Sequence, residues 1–286
     1  IVIYESTVYP GVTEEICIPI IEEISEKKYN SKSYFNSFYS GYSPERINPG
    51  DPKNTIDSIV KVTSGCNLKV ANWVDSFYSS FISAGTFKVS NIKIAEAAKI
   101  IENTQRDINI ALVNELSMLF KKMNINTKEV LEAANTKWNF QKYTPGLVGG
   151  HCIGVDPYYL AEKAKKLNVR PEVILSGRNT NDNMVEFIGK EITKRLPSNS
   201  SCLFLGVTFK ENVPDLRNSK SLELIRYLEK KNLQIYLYDP FISKLKGFKV
   251  LKNENLKKTK FDAIVLSVPH KKILLNYLRN INQSTL

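Results

Sequence analysis

The chain has 286 residues, of which 42% are hydrophobic, so it can build the cores of about two domains and is not expected to be disordered. No apolar run approaches the ~18 residues that a membrane-spanning helix needs, so no membrane association is expected. The formal net charge of +11 suits either a polyanionic partner such as nucleic acid or lysines on solvated helix faces. The lysines occur as short pairs without an arginine–aromatic stripe, which favours the second interpretation and predicts no nucleic-acid partner.

Cysteine and histidine usage argues against disulfides and against a metal site. The four cysteines are far apart and form no CxxC pair: Cys17, Cys66, Cys152 and Cys202. Only two histidines occur, so we expect no bound metal. These features fit a reducing, cytoplasmic setting. The chain opens on the strand-like run Ile1–Tyr4 without a basic or cleavable leader, and we expect this to be the middle of a longer protein.

Residues 1–90 predict alternating strands and helices. A turn at Ser6–Gly11 separates the first strand from a helix that opens at Thr13, where a hydroxyl and the following glutamates suit a helix N-terminus. That helix is predicted to run to about Lys27, and the other predicted elements are strands at Tyr34–Tyr42 and Ser58–Ser64 and a helix at Leu68–Phe81. Such alternation is typical of an α/β sheet.

The longest periodic stretch runs from Ile92 to Met123. Apolar residues recur there at spacings of three and four, which predicts one long amphipathic helix. A helix of this length commonly forms a domain core or a subunit interface. Shorter helices are predicted at 126–134, 157–167 and 171–196.

A polar linker, Pro197–Ser201, precedes a second α/β portion. Apolar strands are predicted at 202–209, 234–238 and 261–268, with a helix at 222–231. This order predicts a parallel sheet with right-handed crossovers, a Rossmann-like unit. No GxGxxG dinucleotide fingerprint occurs in the 286 residues.

The run from Pro145 to Leu160 carries the strongest chemical signal. Cys152 follows a Gly-Gly pair that begins at Gly149, and Asp156 lies four residues further on. Glycines let a backbone lie close to a bound molecule, and a nearby cation would make the thiol a nucleophile. The alternative is a buried structural cysteine.

Two polar residues on the long helix and a glutamate after a strand are further candidates. Lys99 and Asn103 share a helix face, where they could hold an oxyanion and a water or be two solvated polar positions. Glu45 follows a predicted strand, which suits a site carboxylate, although a plain turn with a solvated pair to Arg46 is equally compatible.

The loop Gly206–Ser219 lies between a strand and a helix of the second α/β portion. Lys210 and Arg217 in this loop could meet phosphate oxygens. The loop lacks GxGxxG, so it is not a standard dinucleotide site.

Taken together, these segments resemble the UDP-glucose/GDP-mannose dehydrogenase family. The matching stretches, in family order, are Tyr4–Gly11, Tyr42–Asp51, Ile94–Glu115, the Gly-Gly-His-Cys run and Gly206–Ser219. The segments YSPERINPGD, KWNF and GGHCIGVDPYYL look most like the branch that acts on UDP-N-acetylhexosamines in capsule, Vi-type or O-antigen synthesis. The resemblance implies an α/β fold in three parts, truncated at both ends: the remainder of an NAD-binding Rossmann domain at 1–90, a central helical domain with the catalytic cysteine loop at 91–196, and a Rossmann-like UDP-binding domain at 197–286.

The resemblance implies NAD-dependent oxidation of the C6 alcohol of a UDP-sugar to a uronic acid. Cys152 would hold the C6 carbon as a thiohemiacetal and then as a thioester, so the aldehyde could not escape. Lys99 and Asn103 would steady the oxyanion and place a water, and Asp156 would help to orient the thiol, the lysine or the water. Glu45 would assist proton transfer.

The resemblance also implies binding residues and partners. Thr7 would touch the nicotinamide or the water, and Arg217 the cofactor. Tyr143, Gly149 and Lys210 would bind the UDP-sugar. A homodimer would form through the helix at 92–123.

Three other interpretations stay open at the level of sequence. The isolated chain could be a catalytically silent, UDP-sugar-binding and dimer-forming fragment. It could belong to a UDP-glucose 6-dehydrogenase. A basic nucleic-acid binder is the third alternative.

Overall fold

The computed structural model describes residues 1–33, 35–48, 50–51, 53–256 and 259–276. The chain divides into two compact units, Ile1–Arg106 with Val155–Leu175, and Asp107–Gly154 with Ser176–Leu286. This division follows packing alone, and the functional domains at 1–90, 91–196 and 197–286 stay predictions.

Helices and strands alternate along most of the chain. The helices are α1 (Ile18–Ser25), α2 (Leu68–Ser79), α3 (Ile92–Lys122), α4 (Thr127–Ala134), α5 (Asp156–Lys166), α6 (Glu172–Thr193), α7 (Lys220–Glu229), α8 (Asn253–Leu256) and α9 (Lys271–Asn276). The strands are β1 (Val2–Tyr4), β2 (Lys28–Tyr29), β3 (Ser37–Phe38), β4 (Ser40–Tyr42), β5 (Lys61–Gly65), β6 (Thr86–Lys88), β7 (Ser201–Leu205), β8 (Gln234–Tyr238), β9 (Lys249–Val250) and β10 (Ala263–Leu266). The described residues contain no helix that is both long and apolar enough to cross a membrane.

The first unit contains a four-stranded sheet in the order β1-β4-β5-β6. β1 is parallel to β4 and β5 is parallel to β6, whereas β4 and β5 are antiparallel. The Asn67 side chain caps α2 by accepting a hydrogen bond from the Val70 amide at 3.0 Å. Val70, Val74 and Tyr78, spaced by four, form the buried face of that helix.

The second unit contains a parallel four-stranded sheet in the order β10-β7-β8-β9. The apolar residues of β7 are fully buried, as a strand covered on both faces requires. Ser219 caps α7, and Leu224, Ile225 and Leu228 of that helix join the core of the sheet. The predicted α/β class, with a Rossmann-like C-terminal sheet, is confirmed.

Several predicted element boundaries differ from the structure. The helix predicted at 13–27 begins with a π-helical turn at Thr13–Cys17 and ends at Ser25, because Glu26 has a left-handed φ of 57°. The strand predicted at 202–209 ends at Leu205, since Gly206 has a φ of 80°. The strand predicted at 34–42 is divided into β3 and β4, and Tyr34 lies outside the described residues.

Candidate active site

Two polar side chains of α3, Lys99 and Asn103, are buried. Their exposed fractions are 8% and 7%, so they are not the solvated helix positions that their polarity also allowed. Asn103 donates a hydrogen bond from Nδ2 to Oδ2 of Asp156 at 2.6 Å, and Asp156 opens α5 in the same unit. The structure therefore brings two predicted catalytic residues into direct contact, with Lys99 one helical turn from Asn103 on the same face.

Among the described residues, no carboxylate lies within ion-pairing distance of the Lys99 ammonium group. Across the described ranges, it forms neither an ion pair nor a hydrogen bond. A buried ammonium that is not neutralised by a carboxylate remains available to an anion of a bound molecule.

The loop after β1 is anchored by two buried side chains that the sequence analysis did not select. The Glu96 carboxylate accepts hydrogen bonds from the backbone amides of Gly11 and Thr13, at 2.6 and 2.9 Å. The Tyr42 hydroxyl donates to the Ser6 carbonyl at 2.9 Å. Burial raises the pKa of Tyr42, and nearby carboxylates including that of Glu96 raise it further, so the phenol stays a neutral donor. The available signal for Glu96 was a lone glutamate in the alanine-rich stripe of α3.

Thr7 and Glu45 follow the carboxyl ends of β1 and β4, which are neighbouring parallel strands. Both side chains are half-buried. The Glu45 carboxylate accepts a hydrogen bond from the Ile47 amide at 2.6 Å, and Arg46 pairs with Glu102 at 2.8 Å. Arg46 therefore has a partner on α3, and the Glu–Arg turn pair that the sequence also allowed does not form.

The glycines before Cys152 lie against the protein's own backbone. A Cβ atom on Gly149 would lie 2.6 Å from the Asn218 carbonyl oxygen, and one on Gly150 would lie 2.7 Å from the Phe209 ring. Gly150 has a φ of 87°, and its amide donates to the Asn218 carbonyl at 3.2 Å. These glycines thus allow the loop to pack closely against the 206–219 loop, and their approach to a bound molecule stays a prediction.

Cys152 is a free, half-buried thiol in the second unit. The Arg217 guanidinium forms hydrogen bonds with Asp215 at 2.6 to 3.1 Å, and this contact raises the pKa of Arg217. Cys152 adds a smaller contribution in the same direction, so the two groups are close enough to interact electrostatically. Cys202, by contrast, is fully buried in β7, and burial raises the pKa of its thiol to about 12. Cys202 is a structural cysteine of the kind that the sequence allowed for Cys152.

The loop that carries Lys210 is fixed by a buried histidine. His270 Nδ1 accepts a hydrogen bond from the Asn212 amide at 2.8 Å, so the ring proton must lie on Nε2. Nε2 lies 3.0 Å from Asp239 and 3.1 Å from the Thr208 hydroxyl, which donates to the Lys210 carbonyl at 2.9 Å. Asp239 and His270 follow the carboxyl ends of β8 and β10, and sequence reasoning missed both because neither belongs to a local motif.

The predicted site residues thus fall into two groups. Thr7, Glu45, Lys99, Asn103 and Asp156 belong to the first unit, where Asn103 and Asp156 are in contact. The second unit holds Tyr143, Gly149, Cys152, Lys210 and Arg217. There, Gly149 and Cys152 approach the 206–219 loop, while the half-buried Tyr143 places its hydroxyl 3.5 Å from Gln141.

Comparison with known families identifies the chain. The central domain of the UDP-glucose/GDP-mannose dehydrogenase family matches residues 93–183, and the UDP binding domain of that family matches residues 203–284. The chain belongs to this family. The resemblance seen in the sequence is therefore confirmed.

Individual members of this family can be compared with the chain directly. The UDP-N-acetyl-D-glucosamine 6-dehydrogenase of Pseudomonas aeruginosa is 49% identical over 94% of this chain and 65% of its own length. Protein CapL of Staphylococcus aureus is 48% identical over 99% of this chain and 68% of its own length. The solved UDP-D-ManNAc dehydrogenase of Pyrococcus horikoshii is 30% identical, with a TM-score of 0.81 over 99% of this chain and 64% of that one. The chain thus spans about two thirds of the length of these family members.

Proposed function

We propose that this family member acts in the NAD-dependent oxidation of the C6 alcohol of a UDP-N-acetylhexosamine to the uronic acid. The 49% identity with a UDP-N-acetyl-D-glucosamine 6-dehydrogenase over 94% of the chain carries this proposal. Other relatives are UDP-N-acetyl-D-mannosamine dehydrogenases, which supports the same substrate class. A role in surface polysaccharide synthesis in the cytoplasm completes the proposal.

Cys152 is proposed as the nucleophile. Its thiolate would add to the C6 aldehyde, and the resulting C–S bond would hold the carbon until water releases the uronate and returns the thiolate. A half-buried thiol in a loop fixed by its glycines supports this role better than the buried Cys202. The guanidinium of Arg217, although paired with Asp215, would favour the thiolate form.

The buried polar groups of α3 are proposed to stabilise charge on the substrate. Lys99, which has no carboxylate partner in the described part of the chain, would face the oxyanion that forms at C6. Asn103 and Asp156 would hold the hydrolytic water through the pair of polar groups that their hydrogen bond fixes. Glu45 would accept a proton.

The described residues fit the nicotinamide end of an NAD site. Enzymes of this family are NAD-dependent. Thr7 and Glu45 follow neighbouring parallel strands at their carboxyl ends, the edge at which α/β sheets bind dinucleotides. When bound, NAD accepts the hydride from C6 in each oxidation. Thr7 would orient the nicotinamide or the water, Arg217 would meet the cofactor, and Tyr143, Gly149 and Lys210 would bind the UDP-sugar.

A homodimer through α3 is proposed as the assembly. Large hydrophobic side chains are exposed along this helix: Ile94, Ile101, Leu112 and Leu119. Burying them against a second copy would supply the apolar contact that a stable dimer needs. Sedimentation at increasing protein concentration should reveal the dimer, and a strictly monomeric species would reject it.

The activity test compares three UDP-sugars with NAD as the oxidant. We expect NADH and uronate to form with UDP-N-acetylglucosamine or UDP-N-acetylmannosamine and much less with UDP-glucose. Preference for UDP-glucose would replace the proposal with a UDP-glucose 6-dehydrogenase.

A silent UDP-sugar binder is the second candidate, favoured by the lack of a GxGxxG segment among the 286 residues. Calorimetric binding of the UDP-sugar without NADH formation by these residues would support it. If the protein neither binds nor oxidises the UDP-sugar, both candidates are rejected.

A further inference from the structure

A network of buried polar side chains lies in the second unit and contacts the loop that leads to Cys152. Its members, all at most 2% exposed, are Asp107 and Asn114 of α3 and Arg178 and Asn181 of α6. Polar groups at such depth are usually satisfied by hydrogen bonds, so the pairing of each atom is informative; in the Asp107 carboxylate, Oδ1 is paired, whereas Oδ2 has no hydrogen-bond partner among the described residues.

Asn114 binds the backbone of Gly146 through both ends of its side-chain amide. Oδ1 accepts from the Gly146 amide at 2.7 Å, and Nδ2 donates to the Gly146 carbonyl at 3.0 Å. A loop residue that pairs its N–H and C=O with one planar side chain is fixed in position and orientation. Gly146 lies at the start of the loop that leads to Cys152.

The next members of the network fix the orientation of the Asn114 amide. Its second Nδ2 proton goes to Oδ1 of Asn181 at 2.8 Å, which leaves no alternative orientation of the Asn114 amide. Asn181 in turn donates to the carbonyl oxygen and to Oδ1 of Asp107, at 3.0 and 2.8 Å. Each acceptor and donor of the two amides therefore has a defined partner.

Arg178 connects this network of side chains to the second attachment point of the loop. Its guanidinium donates to Asp107 at 2.6 Å and to Asp182 at 2.7 Å, and Lys220 reaches the same Asp182 oxygen at 3.1 Å. Lys220 opens α7 directly after the segment in which the Asn218 carbonyl accepts from Gly150. The loop is thus held at Gly146 and again at Gly150.

The network is better explained by geometry than by stability. Burial raises the pKa of Asp107, although Arg178 and Asn181 act in the opposite direction. A buried ion pair of this kind often contributes no more than apolar residues of similar volume would. What the network provides is a single arrangement of the groups that it joins.

We infer that Asn114, oriented by Asn181, Asp107 and Arg178, is a positioning residue for the Cys152 thiol. Asn114 does not touch the reacting atoms, and acts by fixing Gly146 and with it the approach of the loop to Cys152. The catalytic meaning rests on the proposed function, whereas the positioning itself is a property of this chain that alkylation can measure without substrate.

The test is the rate at which iodoacetamide alkylates Cys152, followed by mass spectrometry of the peptides. Asn114→Asp keeps the size of the side chain but cannot donate to Gly146 or to Asn181. We expect about a tenfold change in the Cys152 rate, the effect of losing a buried hydrogen bond. Asn232→Asp, the same chemical change at an exposed turn, should leave the rate unchanged.

Cys202 reports on global unfolding in the same experiment, because it is fully buried in β7. A selective change at Cys152, with Cys202 protected and the UDP affinity close to wild type, is the expected result; the melting temperature falls, because the variant buries an unpaired carboxylate. A merely structural role would change the rates of both cysteines and the UDP affinity together. An unchanged Cys152 rate in Asn114→Asp would overturn the inference.

If both cysteines react faster in Asn114→Asp, the variant Arg178→Lys distinguishes a positioning role from a structural one. Lysine keeps the charge but cannot bridge Asp107 and Asp182 with one planar group. A selective increase at Cys152 would support the positioning role, and a parallel increase at both cysteines would overturn it. Oxidation of a UDP-sugar is measured separately, so failure of the proposed function would leave these outcomes readable.

Discussion

The side-chain amide of Asn103 lies 2.6 Å from a carboxylate oxygen of Asp156, 53 residues further along the chain. Both side chains are buried, and the amide proton points at a charged acceptor, which makes the bond stronger than one between neutral groups. This contact links α3 to the start of α5 within the first unit. It also joins two residues that the family resemblance had assigned to the same chemistry.

Asn103→Asp should destabilise the protein by about 3 kcal/mol at neutral pH, because two buried carboxylates would face each other. One of the two must then have a strongly raised pKa. A carboxyl group with a raised folded-state pKa gives its stabilisation at low pH and loses it as the pH rises through that pKa. The loss measured by urea denaturation should therefore be smaller at about pH 5 than at about pH 8.

The matched control is Asn168→Asp, at an exposed position of the same unit. It introduces the same charge without a carboxylate partner and should change stability little at either pH. A loss in Asn103→Asp that is the same at both pH values would show that the two carboxylates do not interact.

Regular elements with strong periodic patterns were predictable from the sequence. The strand at 234–238 is found at the predicted residues, and α3 ends one residue before the predicted Met123. In β8 the hydrophobic alternation and the burial agree, whereas in α3 the periodicity predicted the helix but not its buried face, since Ile101 and Leu112 are exposed and Asn103 is buried. The short strands β6 and β9, which have only three and two residues, carry too little pattern to be recognised.

The site was only partly predictable, because most of its polar contacts join distant parts of the chain. Asn114 within an amphipathic helix has no local feature that distinguishes it from a solvated asparagine. Its partner, Gly146, lies 32 residues away in the sequence, so the contact could not be foreseen. The partner of Gly149, the backbone of Asn218, could not be inferred from the Gly-Gly pair either. Lys99 and Asn103 were selected from their shared helix face and then from the resemblance, and their burial became evident only in the fold.

Cys152→Ser should abolish uronate formation in an assay that contains NAD and the preferred UDP-sugar. A serine ester would replace the thioester, and the hydroxyl is a much weaker nucleophile than a thiolate. Cys202→Ala is the matched control, because it removes a thiol from the core of β7 and should retain the activity of the folded protein. Uronate formation by Cys152→Ser at the wild-type rate would remove Cys152 from the mechanism.

Lys99→Ala should lower turnover by about 10²–10³-fold while UDP binding, measured by calorimetry, stays close to wild type. The reason is that an ammonium group which stabilises a developing oxyanion acts in the transition state and not on the nucleotide. Lys122→Ala removes an exposed lysine from the same helix and should change neither quantity. Unaltered turnover in Lys99→Ala would leave that lysine with a structural role only.

Asp239→Asn should make the protein less dependent on pH in the acid range. Burial alone would raise the pKa of Asp239, but hydrogen bonds from His270, Val207 and Phe241 outweigh it, and the pKa lies below its usual value. A depressed folded-state pKa means that the carboxylate stabilises the fold above its unfolded value of about 3.9 and loses this effect as the pH falls. We therefore expect the variant to be less stable by about 1–3 kcal/mol at neutral pH.

The difference between wild type and Asp239→Asn should shrink as the pH falls below about 4, since protonation removes the wild-type advantage. Thermal denaturation across that range measures it. Glu254→Gln removes an exposed carboxyl group of α8, and its difference from wild type should stay constant. His270 is the titratable group that contacts Asp239, and its Nδ1 accepts a hydrogen bond from the Asn212 amide. A difference that persists unchanged into acid would show that the Asp239 charge does not stabilise the Lys210 loop.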